Sequence, residues 1–444
     1  MSETSAVNKS GISSLLRALR SRNYRLFVAG QSVSLVGTWM QQVAMSWLVY
    51  RLTGSAFLLG VVGFTSQIPT FLFAPLAGVL ADRWDRRRLL IVTQALAMIQ
   101  AALLAAAVLS GVVHVWHIVV LSLLLGVVNA FDIPIRQSFV VEMVSHREDL
   151  GNAIALNSSM VNGARLVGPA IAGLLVASVG EGVCFALNSV SYLAVLLALA
   201  AMRLEPTTHH HKRSHILLEL REGFSYAFGF GPIRSILLLV ALVSLTGMPY
   251  AVLVPVFAKE VLHGGAHTFG FLMTATGFGA LGGTIYLASR KSVLGLGRLI
   301  VIAAVLFATG IASFALSNNI YLSLASLVVT GFGAMTLVAS CNTILQTILE
   351  EDKRGRVMSF FTMAFMGMAP FGSFGAGAMA GIIGPRETLL LGATICLVGA
   401  IIFARHLPHI RERVRPIYVK MGIITEVAQG METAAEQPPL SEDS

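Results

Sequence analysis

Long apolar runs recur along the whole chain, and they constrain its fold more than any other feature. The run 89–113, for example, contains no Asp, Glu, Lys or Arg. About 20 apolar residues are enough to cross a bilayer as a helix. Only 12% of the residues are charged, whereas a soluble domain carries about 25%. Both observations argue against a soluble protein and predict an integral membrane protein.

Twelve such runs can be placed along the chain. Several contain Pro or Gly, which membrane helices tolerate when neighbouring helices satisfy the freed backbone groups. The sequence therefore predicts an all-α integral membrane protein with twelve transmembrane helices. The predicted spans are residues 25–50, 57–81, 89–112, 116–140, 153–179, 183–202, 233–258, 268–288, 298–316, 320–346, 357–382 and 387–405.

The cations between these runs predict the orientation of the chain. If the N-terminus is cytoplasmic, only Arg51, Lys259 and Arg386 fall on the outer side. The other loop cations, including the cluster at 83–88, fall on the inner side. Because cytoplasmic loops are enriched in Lys and Arg, both termini are predicted to be cytoplasmic, with the chain in a bacterial inner (plasma) membrane. The net charge of +9 does not indicate nucleic acid, since the cations separate apolar runs and do not form one face.

A long polar stretch divides the spans into two groups of six. Within it, the His-rich segment 209–215 is interpreted as part of a solvated linker, because no acidic or thiol ligand flanks the histidines. The predicted organisation is a cytoplasmic N-terminal tail (1–24), a first six-helix bundle (25–203), a cytoplasmic linker (204–231), a second six-helix bundle (232–406) and a cytoplasmic tail with a disordered end (407–444).

An internal repeat relates the two halves. Glycines and a basic pair coincide when one half is shifted by 204 positions: Gly78 falls on Gly282, Arg86 on Arg290, Arg87 on Lys291, Gly168 on Gly372 and Gly173 on Gly377. Repeats of this kind form two similar bundles related by an axis along the membrane normal, with the substrate at their interface. The sequence therefore predicts two pseudo-symmetric six-helix bundles.

The loop after the second span reads Gly78-x-x-x-Asp82-Arg83-x-Asp85-Arg86-Arg87. It resembles the loop motif of the major facilitator superfamily, Gly-x-x-x-Asp-Arg/Lys-x-Gly-Arg-Arg/Lys, with Asp85 where glycine is usual. Further segments resemble one bacterial branch of that family, the efflux transporters similar to the enterobactin exporter and to macrolide-efflux proteins: 19–25, 130–137, 152–173 and 354–359. The resemblance covers about residues 15–405 and implies the major facilitator fold, but it does not specify a substrate.

The resemblance also implies a conformational latch at the inner ends of helices two and eleven. Its residues would be Gly78, Asp82, Arg83, Arg86 and Arg87, with Glu142 at the foot of helix four as an acidic partner. The spacing of Asp82 and Arg86 favours an ion pair if one helix continues through both residues. The alternative interpretation is that the arginines only fix the topology.

Two charges lie inside apolar runs, Asp132 in the fourth span and Arg165 in the fifth. A charge at the bilayer centre costs about 2.5–3.5 kcal/mol on the insertion scale, so each needs a partner or a wet cavity. Neighbouring antiparallel helices would bring the two to similar depth, where they could pair. Arg136, one turn from Asp132, is the competing partner. Asp132 is interpreted either as a proton-coupling site or as part of a permanent ion pair that packs the bundle.

Gly163, Gly168, Pro169 and Gly173 resemble the helix-five motif of antiporters, with one extra residue between the first two glycines. Small residues allow close helix packing, so they predict a packing seam between the halves, with a bending hinge as the alternative. The resemblance further implies a substrate cavity lined by helices one, four, seven and ten. Its candidate residues are aromatic, amide and thioether groups suited to an amphipathic ligand: Gln31, Trp39, Gln42, Trp47, Asn129, Met248, Tyr250 and Asn342.

These features predict a secondary active transporter that exports a small amphipathic compound, such as a siderophore or a drug, by proton antiport and alternating access. It is predicted to be a monomer without enzymatic activity, metal or cofactor, and the proton gradient is its expected energy source. The sequence has no Gly-x-x-x-x-Gly-Lys-Ser/Thr phosphate loop, which argues against a primary pump. The alternatives are an importer or uniporter of the same fold and a non-transporting membrane sensor or scaffold. A membrane enzyme would need clustered His, Asp or Glu at one depth, whereas Asp132 is nearly alone.

Overall fold

The computed structural model describes residues 17–144, 146–203, 225–290 and 292–424, with the backbone only at 74–83, 147 and 352. In these ranges the chain is helical and contains no strand. Its long helices are α1 (Arg22–Thr53), α2 (Ala56–Arg83), α3 (Arg86–Leu109), α4 (Val115–Met143), α5 (Leu150–Val179), α6 (Glu181–Ala201), α7 (Gly231–Val261), α8 (Ala266–Ser289), α9 (Leu296–Leu316), α10 (Ile320–Ile348), α11 (351–383) and α12 (Pro385–Lys420).

Each predicted span coincides with one of these helices, so the predicted all-α fold is confirmed. Eleven helices of the described part are long and apolar enough to cross a membrane. The remaining one, α1, has 32 residues, which is more than a span requires. The helix α7 is interrupted at 247–249, and both α7 and α11 contain a π-helical turn, at Phe257–Val261 and Met363–Gly367.

The polar side chains of α1 explain why it is less apolar than the other helices. Gln41 donates from Nε2 to Gln100 Oε1 at 2.9 Å, and it accepts a hydrogen bond from Asn188 Nδ2 at 2.7 Å. All three side chains are buried. Gln41 thus satisfies its amide inside the bundle, where an unpaired polar group would be costly.

The helices form two groups that meet along two seams. Helices α1 to α6 pack on one another, as do α7 to α12, and the main contacts between the groups join α5 to α8 and α2 to α11. Both seams depend on glycine: a Cβ added to Gly173 would lie 2.9 Å from the Cα of Gly270, and one added to Gly377 would lie 2.7 Å from the Cα of Gly60. The backbones therefore touch at two equivalent places.

These contacts correct the register of the predicted repeat. Gly173 and Gly377 are related by the 204-residue shift, as predicted. Gly60 and Gly270, which occupy equivalent places in α2 and α8, are 210 residues apart. The single ungapped shift that superposes Gly78 on Gly282 is therefore wrong for this helix pair, because helix and loop lengths differ between the halves.

Some predicted boundaries lie outside the described residues. This applies to most of the N-terminal tail, to most of the linker with its histidine segment 209–215, and to the end of the C-terminal tail after 424. The predicted tail from 407 begins as helix, since α12 continues to Lys420. We call the end of the molecule at which α1 begins the basic end, because Arg86 and Arg203 also lie there, and the opposite end the far end.

Candidate functional site

A cavity of about 360 Å³ lies between the two groups of helices. Its lining residues come from α1, α2, α5, α7, α8, α10 and α11, so both halves contribute. The apolar part of the wall is rich in thioether and aromatic groups: Met45, Met248, Met273, Met335, Phe269 and Phe365. The polar part includes an indole, amides, hydroxyls and a guanidinium: Trp39, Gln42, Gln67, Tyr250, Thr276 and Arg165.

Half of the predicted cavity residues line this cavity, namely Trp39, Gln42, Met248 and Tyr250. Trp47 lies behind the wall, where its ring stacks on Phe269 at 6.2 Å between centroids. The other three are not part of the lining: Gln31 is buried in α1 nearer the basic end, Asn129 is half-buried in α4, and Asn342 accepts a hydrogen bond from Gln346 on α10.

The expectation that helices one, four, seven and ten line the cavity is only partly right. Helix α4 contributes no lining residue, whereas α2 and α11 contribute several. Among these, Gln67 donates from Nε2 to the carbonyl of Gly63 at 3.0 Å and approaches Ser373 Oγ at 3.5 Å across the halves. The helical spacing of Leu59, Gly63 and Ser66 along one face of α2 was the available sequence signal.

Asp132 lies inside the first group of helices and is only 4% exposed. Its Oδ1 accepts hydrogen bonds from Thr93 Oγ1 at 2.8 Å and from Gln94 Nε2 at 2.7 Å. Its Oδ2 lies 3.5 Å from Arg136 Nε. The sequence left two partners open for Asp132, and the structure pairs it with Arg136 and not with Arg165, because Asp132 faces α3 while Arg165 lines the cavity.

Arg165 lies halfway along α5 and lines the cavity. Its guanidinium carbon is 4.9 Å from the ring centroid of Trp39, in a cation–π contact. Its Nε is buried and has no hydrogen-bond partner in the described part of the chain. The lining contains no Asp or Glu, so the wall described here carries a cation without a counter-charge.

The predicted latch residues lie at the basic end. Arg86 Nη1 forms a 2.7 Å ion pair with Glu142 Oε1, at 17% and 15% side-chain exposure. Arg87 donates to the carbonyl oxygens of Leu199 at 2.8 Å and Ala200 at 3.0 Å. Three further members lie where the side chains are not described: Gly78, Asp82 and Arg83.

The backbone corrects one expectation about this loop. Helix α2 ends at Arg83 and α3 begins at Arg86, so no continuous helix joins Asp82 to Arg86. The break is explained by Asp85, whose Oδ1 accepts a hydrogen bond from the backbone N–H of Arg88 at 3.1 Å. Aspartate is a favoured N-cap residue, which accounts for its presence where the family motif has glycine.

The four helix-five positions do not act alike. A Cβ added to Gly168 would lie 2.6 Å from Trp39 Cβ, and Gly173 lies against Gly270 as described above. The carbonyl oxygen of Pro169 lies 2.8 Å from where a Cβ on Gly270 would be. Nothing lies within 4 Å of an added Cβ at Gly163, so its assignment to the packing motif is wrong. The extra residue after Gly163 turns it away from the seam.

The far end of the cavity is closed by contacts between the halves. Tyr50 on α1 donates its hydroxyl hydrogen to Glu260 Oε1 on α7, and Lys259 Nζ lies 5.4 Å from the centroid of the Tyr50 ring. At the basic end, added Cβ atoms at Gly151 on α5 and Gly355 on α11 meet nothing within 4 Å. In the described side chains, the close glycine approaches between the halves thus lie at the middle and the far end.

Known proteins are similar to this chain in sequence or in fold. The family described as transmembrane secretion effector matches residues 13–417. The staphyloferrin A transporter of Staphylococcus aureus is 25% identical over 376 residues, covering 84% of this chain and 94% of the relative. Macrolide efflux protein A of Streptococcus pyogenes is 24% identical over 383 residues, covering 84% and 93%. A solved bacterial homologue of the human lysosomal transporter Spinster has a TM-score of 0.68 at 15% identity, covering 88% of this chain and 98% of that chain, which is a likeness of fold.

Proposed function

Since the chain belongs to the transmembrane secretion effector family of the major facilitator superfamily, we propose that it exports a small amphipathic compound by alternating access. Membership makes it a multi-pass membrane transporter with a small-molecule substrate, and not an enzyme. The direction of transport, the compound and the energy source belong to the proposal. The candidate compounds are a siderophore, a drug or another metabolite.

The observation that carries the proposal is the cavity between the two halves. It lies where repeat-built transporters hold their substrates, and its wall combines thioether and aromatic groups with amides and hydroxyls. Methionine adapts its shape to a ligand, and a few polar groups orient a mainly apolar one. This wall suits a compound with an apolar body and a polar end.

Efflux is the direction that the relatives support. Macrolide efflux protein A is named for export, and the family description refers to secretion. We propose a bacterial inner membrane location with both termini in the cytoplasm. The cation distribution supports this orientation, because Lys and Arg accumulate on the cytoplasmic side. In that orientation the cavity of this structure is closed towards the outside by Tyr50 and Glu260.

We propose that the proton gradient drives export. Concentrating a solute requires an energy source, and a secondary transporter takes it from an ion gradient. The Arg86–Glu142 pair, together with Asp82, is proposed to stabilise the cytoplasmic ends of the helices when the cavity opens outwards. The rival functions are an importer or uniporter of the same fold and a non-transporting sensor or scaffold.

Proteoliposomes containing the purified full-length chain distinguish these functions. Counterflow of labelled siderophores, macrolides and dyes is measured first at equal pH, and accumulation is measured next under a pH gradient of either polarity. A proton antiporter accumulates its compound in an acidic lumen, a symporter accumulates it when the outside is acidic, and a uniporter gives counterflow without accumulation. Protein-free liposomes and an uncoupler are the controls. Absence of counterflow for every compound would favour the sensor or scaffold.

A further inference from the structure

We infer that Arg165 recognises a carboxylate on the transported compound, with Trp39 supporting the guanidinium. This inference rests on the proposed function, because it assigns a substrate class to the same cavity. It narrows the proposed substrate class from amphipathic compounds in general to amphipathic acids. The substrate would place its carboxylate at Arg165 and its apolar part against the methionines and Phe269.

The first observation is the position of the charge. Arg165 lies halfway along a membrane-spanning helix and is one of the residues that line the cavity. A charged side chain at this depth requires a partner or a wet cavity, and such residues commonly mark a substrate pathway. Its Nε is buried without a hydrogen-bond partner in the described residues. Arg165 thus carries a positive charge and an Nε–H donor that no described residue accepts.

The second observation is the charge of the wall. The lining residues comprise Arg165 and neutral side chains. Asp132 does not compensate Arg165, because Thr93, Gln94 and Arg136 surround that carboxylate elsewhere in the bundle. A cavity of this kind attracts an anion and repels a cation, and the effect is strengthened by the low dielectric of its surroundings. A permanently cationic dye is therefore a poor ligand for this wall.

The third observation is that the position of Arg165 is built by its neighbours. The guanidinium carbon of Arg165 lies over the ring of Trp39, and Trp39 can lie there because Gly168 has no side chain to displace it. On α8, an added Cβ at Gly277 would lie 3.0 Å from the carbonyl oxygen of Arg165. Arg165 thus contacts α1 through its side chain and α8 through its backbone, and these helices belong to different halves.

This arrangement suits a carboxylate better than a neutral polar group. The cation–π contact with Trp39 engages the positive charge of Arg165 and uses none of its N–H donors. Two parallel N–H donors match the two oxygens of a carboxylate, and charge-assisted bonds of this type are about twice as strong as neutral ones. Because Arg165 lies at the seam, a bound acid would contact both halves.

Calorimetric binding to the purified full-length chain in detergent tests the inference with matched probes. The probes are 1-naphthaleneacetic acid and decanoic acid, each compared with its primary amide, together with 1-naphthylmethylamine and 1-naphthyl phosphate. We expect each acid to bind at least about tenfold more tightly than its amide, which corresponds to about 1.4 kcal/mol. Arg165→Gln should abolish this preference, and Arg165→Lys should retain part of it. Trp39→Leu should weaken the binding of the acid.

The control variant is Arg386→Gln, which removes a partly exposed cation at the far end that donates a hydrogen bond to Asn318. It should keep the full preference for the acid. Equal binding of acid and amide, absence of acid binding, or a preference that survives Arg165→Gln would overturn the inference. Tighter binding of 1-naphthyl phosphate than of the acid would assign the site to phosphate groups, including those of lipids, and would also overturn it. Size-exclusion profiles and melting curves verify that each variant is folded.

The binding result and the transport result can fail separately. If the preference for acids depends on Arg165 but no compound shows counterflow, the carboxylate site is supported and the proposed export function is contradicted. If a neutral compound shows counterflow and acids are not preferred in binding, the proposed transport function is supported and the carboxylate site is contradicted.

Discussion

Asp132 and Arg165 are similar in the sequence but have opposite surroundings in the structure. Each is a charge within an apolar run, and each lies in the middle part of its helix. Asp132 has neighbours for both carboxylate oxygens, inside one group of helices. Arg165 has a tryptophan face and a cavity between the two groups. A buried charge can be stabilised by permanent partners or kept available for a ligand, and this chain does both.

The contrast assigns different roles to the two residues. The hydrogen bonds and the ion pair around Asp132 stabilise its carboxylate within α3 and α4, as expected for a permanent ion pair that packs the bundle. The interpretation of Asp132 as the proton-coupling site stays a prediction, because a position outside the cavity wall does not test it. Arg165 lies where a substrate would contact it. Four substitutions test this difference through the free energy of unfolding of the purified protein in mild detergent.

The largest effect is expected for Asp132→Ala. Removing one member of a buried, hydrogen-bonded ion pair leaves the other charge unpaired, which costs about 3–5 kcal/mol. Arg136 and Gln94 would lose this partner, and Thr93 would keep only the carbonyl oxygen of Leu90. Denaturant titration measures the change. If Asp132→Ala and Arg165→Met destabilise the protein equally, the two charges do not differ in their contribution to the stability of the fold.

A smaller decrease in the free energy of unfolding is expected for Thr93→Val, which removes one hydrogen bond to the charged Asp132. Hydrogen bonds to charged groups contribute about 1.5–3 kcal/mol. The matched control is Thr309→Val, because Thr309 Oγ1 bonds only to carbonyl oxygens of its own helix and is exposed. A loss at Thr93 no larger than that at Thr309 would show that the carboxylate does not depend on this contact.

Glu142→Gln should have an intermediate effect, because the Arg86–Glu142 pair is partly exposed. Exposed pairs contribute about 0.2–1 kcal/mol, and we expect a loss near the upper end of that range. If the pair also belongs to the latch, the counterflow rate should fall while the yield of folded protein stays constant. Unchanged counterflow in this variant would leave the pair as a topological and structural feature only.

The smallest effect is expected for Arg165→Met, although this residue also carries a buried charge. Removing an uncompensated charge relieves its desolvation and removes a cation–π contact, which contributes about 2 kcal/mol when it is desolvated. The two changes oppose each other, so the free energy of unfolding should change by less than about 1 kcal/mol. A loss comparable with that of Asp132→Ala would reveal a partner that supports the fold.

The sequence was sufficient for the helices because the signal is local. Apolar runs such as 89–113 and the cations between them indicate where each membrane span lies, and the spacing of Asp132 and Arg136 made Arg136 one of two candidate partners for Asp132. The surroundings of Arg165 were not accessible in this way. Position along a helix gives the depth of a residue, but the direction in which its side chain points depends on how the helices pack.

The wrong predictions about which residues line the cavity have the same origin. Asn342 and Gln31 are on helices that line the cavity, yet they lie too near the basic end to reach it. Gln67 was missed because its helix was not among the four that the family resemblance implied. The repeat register failed at Gly60 and Gly270 because an ungapped comparison does not allow for unequal helix lengths.

The touching backbones at Gly60–Gly377 and Gly173–Gly270 have a consequence for conformational trapping. A methyl group at Gly270 would lie 2.6 Å from the Cα of Gly173, and one at Gly377 would lie 2.7 Å from the Cα of Gly60. Each methyl group would clash with the facing helix while the far end is closed. A conformation with an open far end would leave room for it. Since any group that fits only one state shifts the population towards that state, alanine at these positions should make the conformer with the open far end available for isolation.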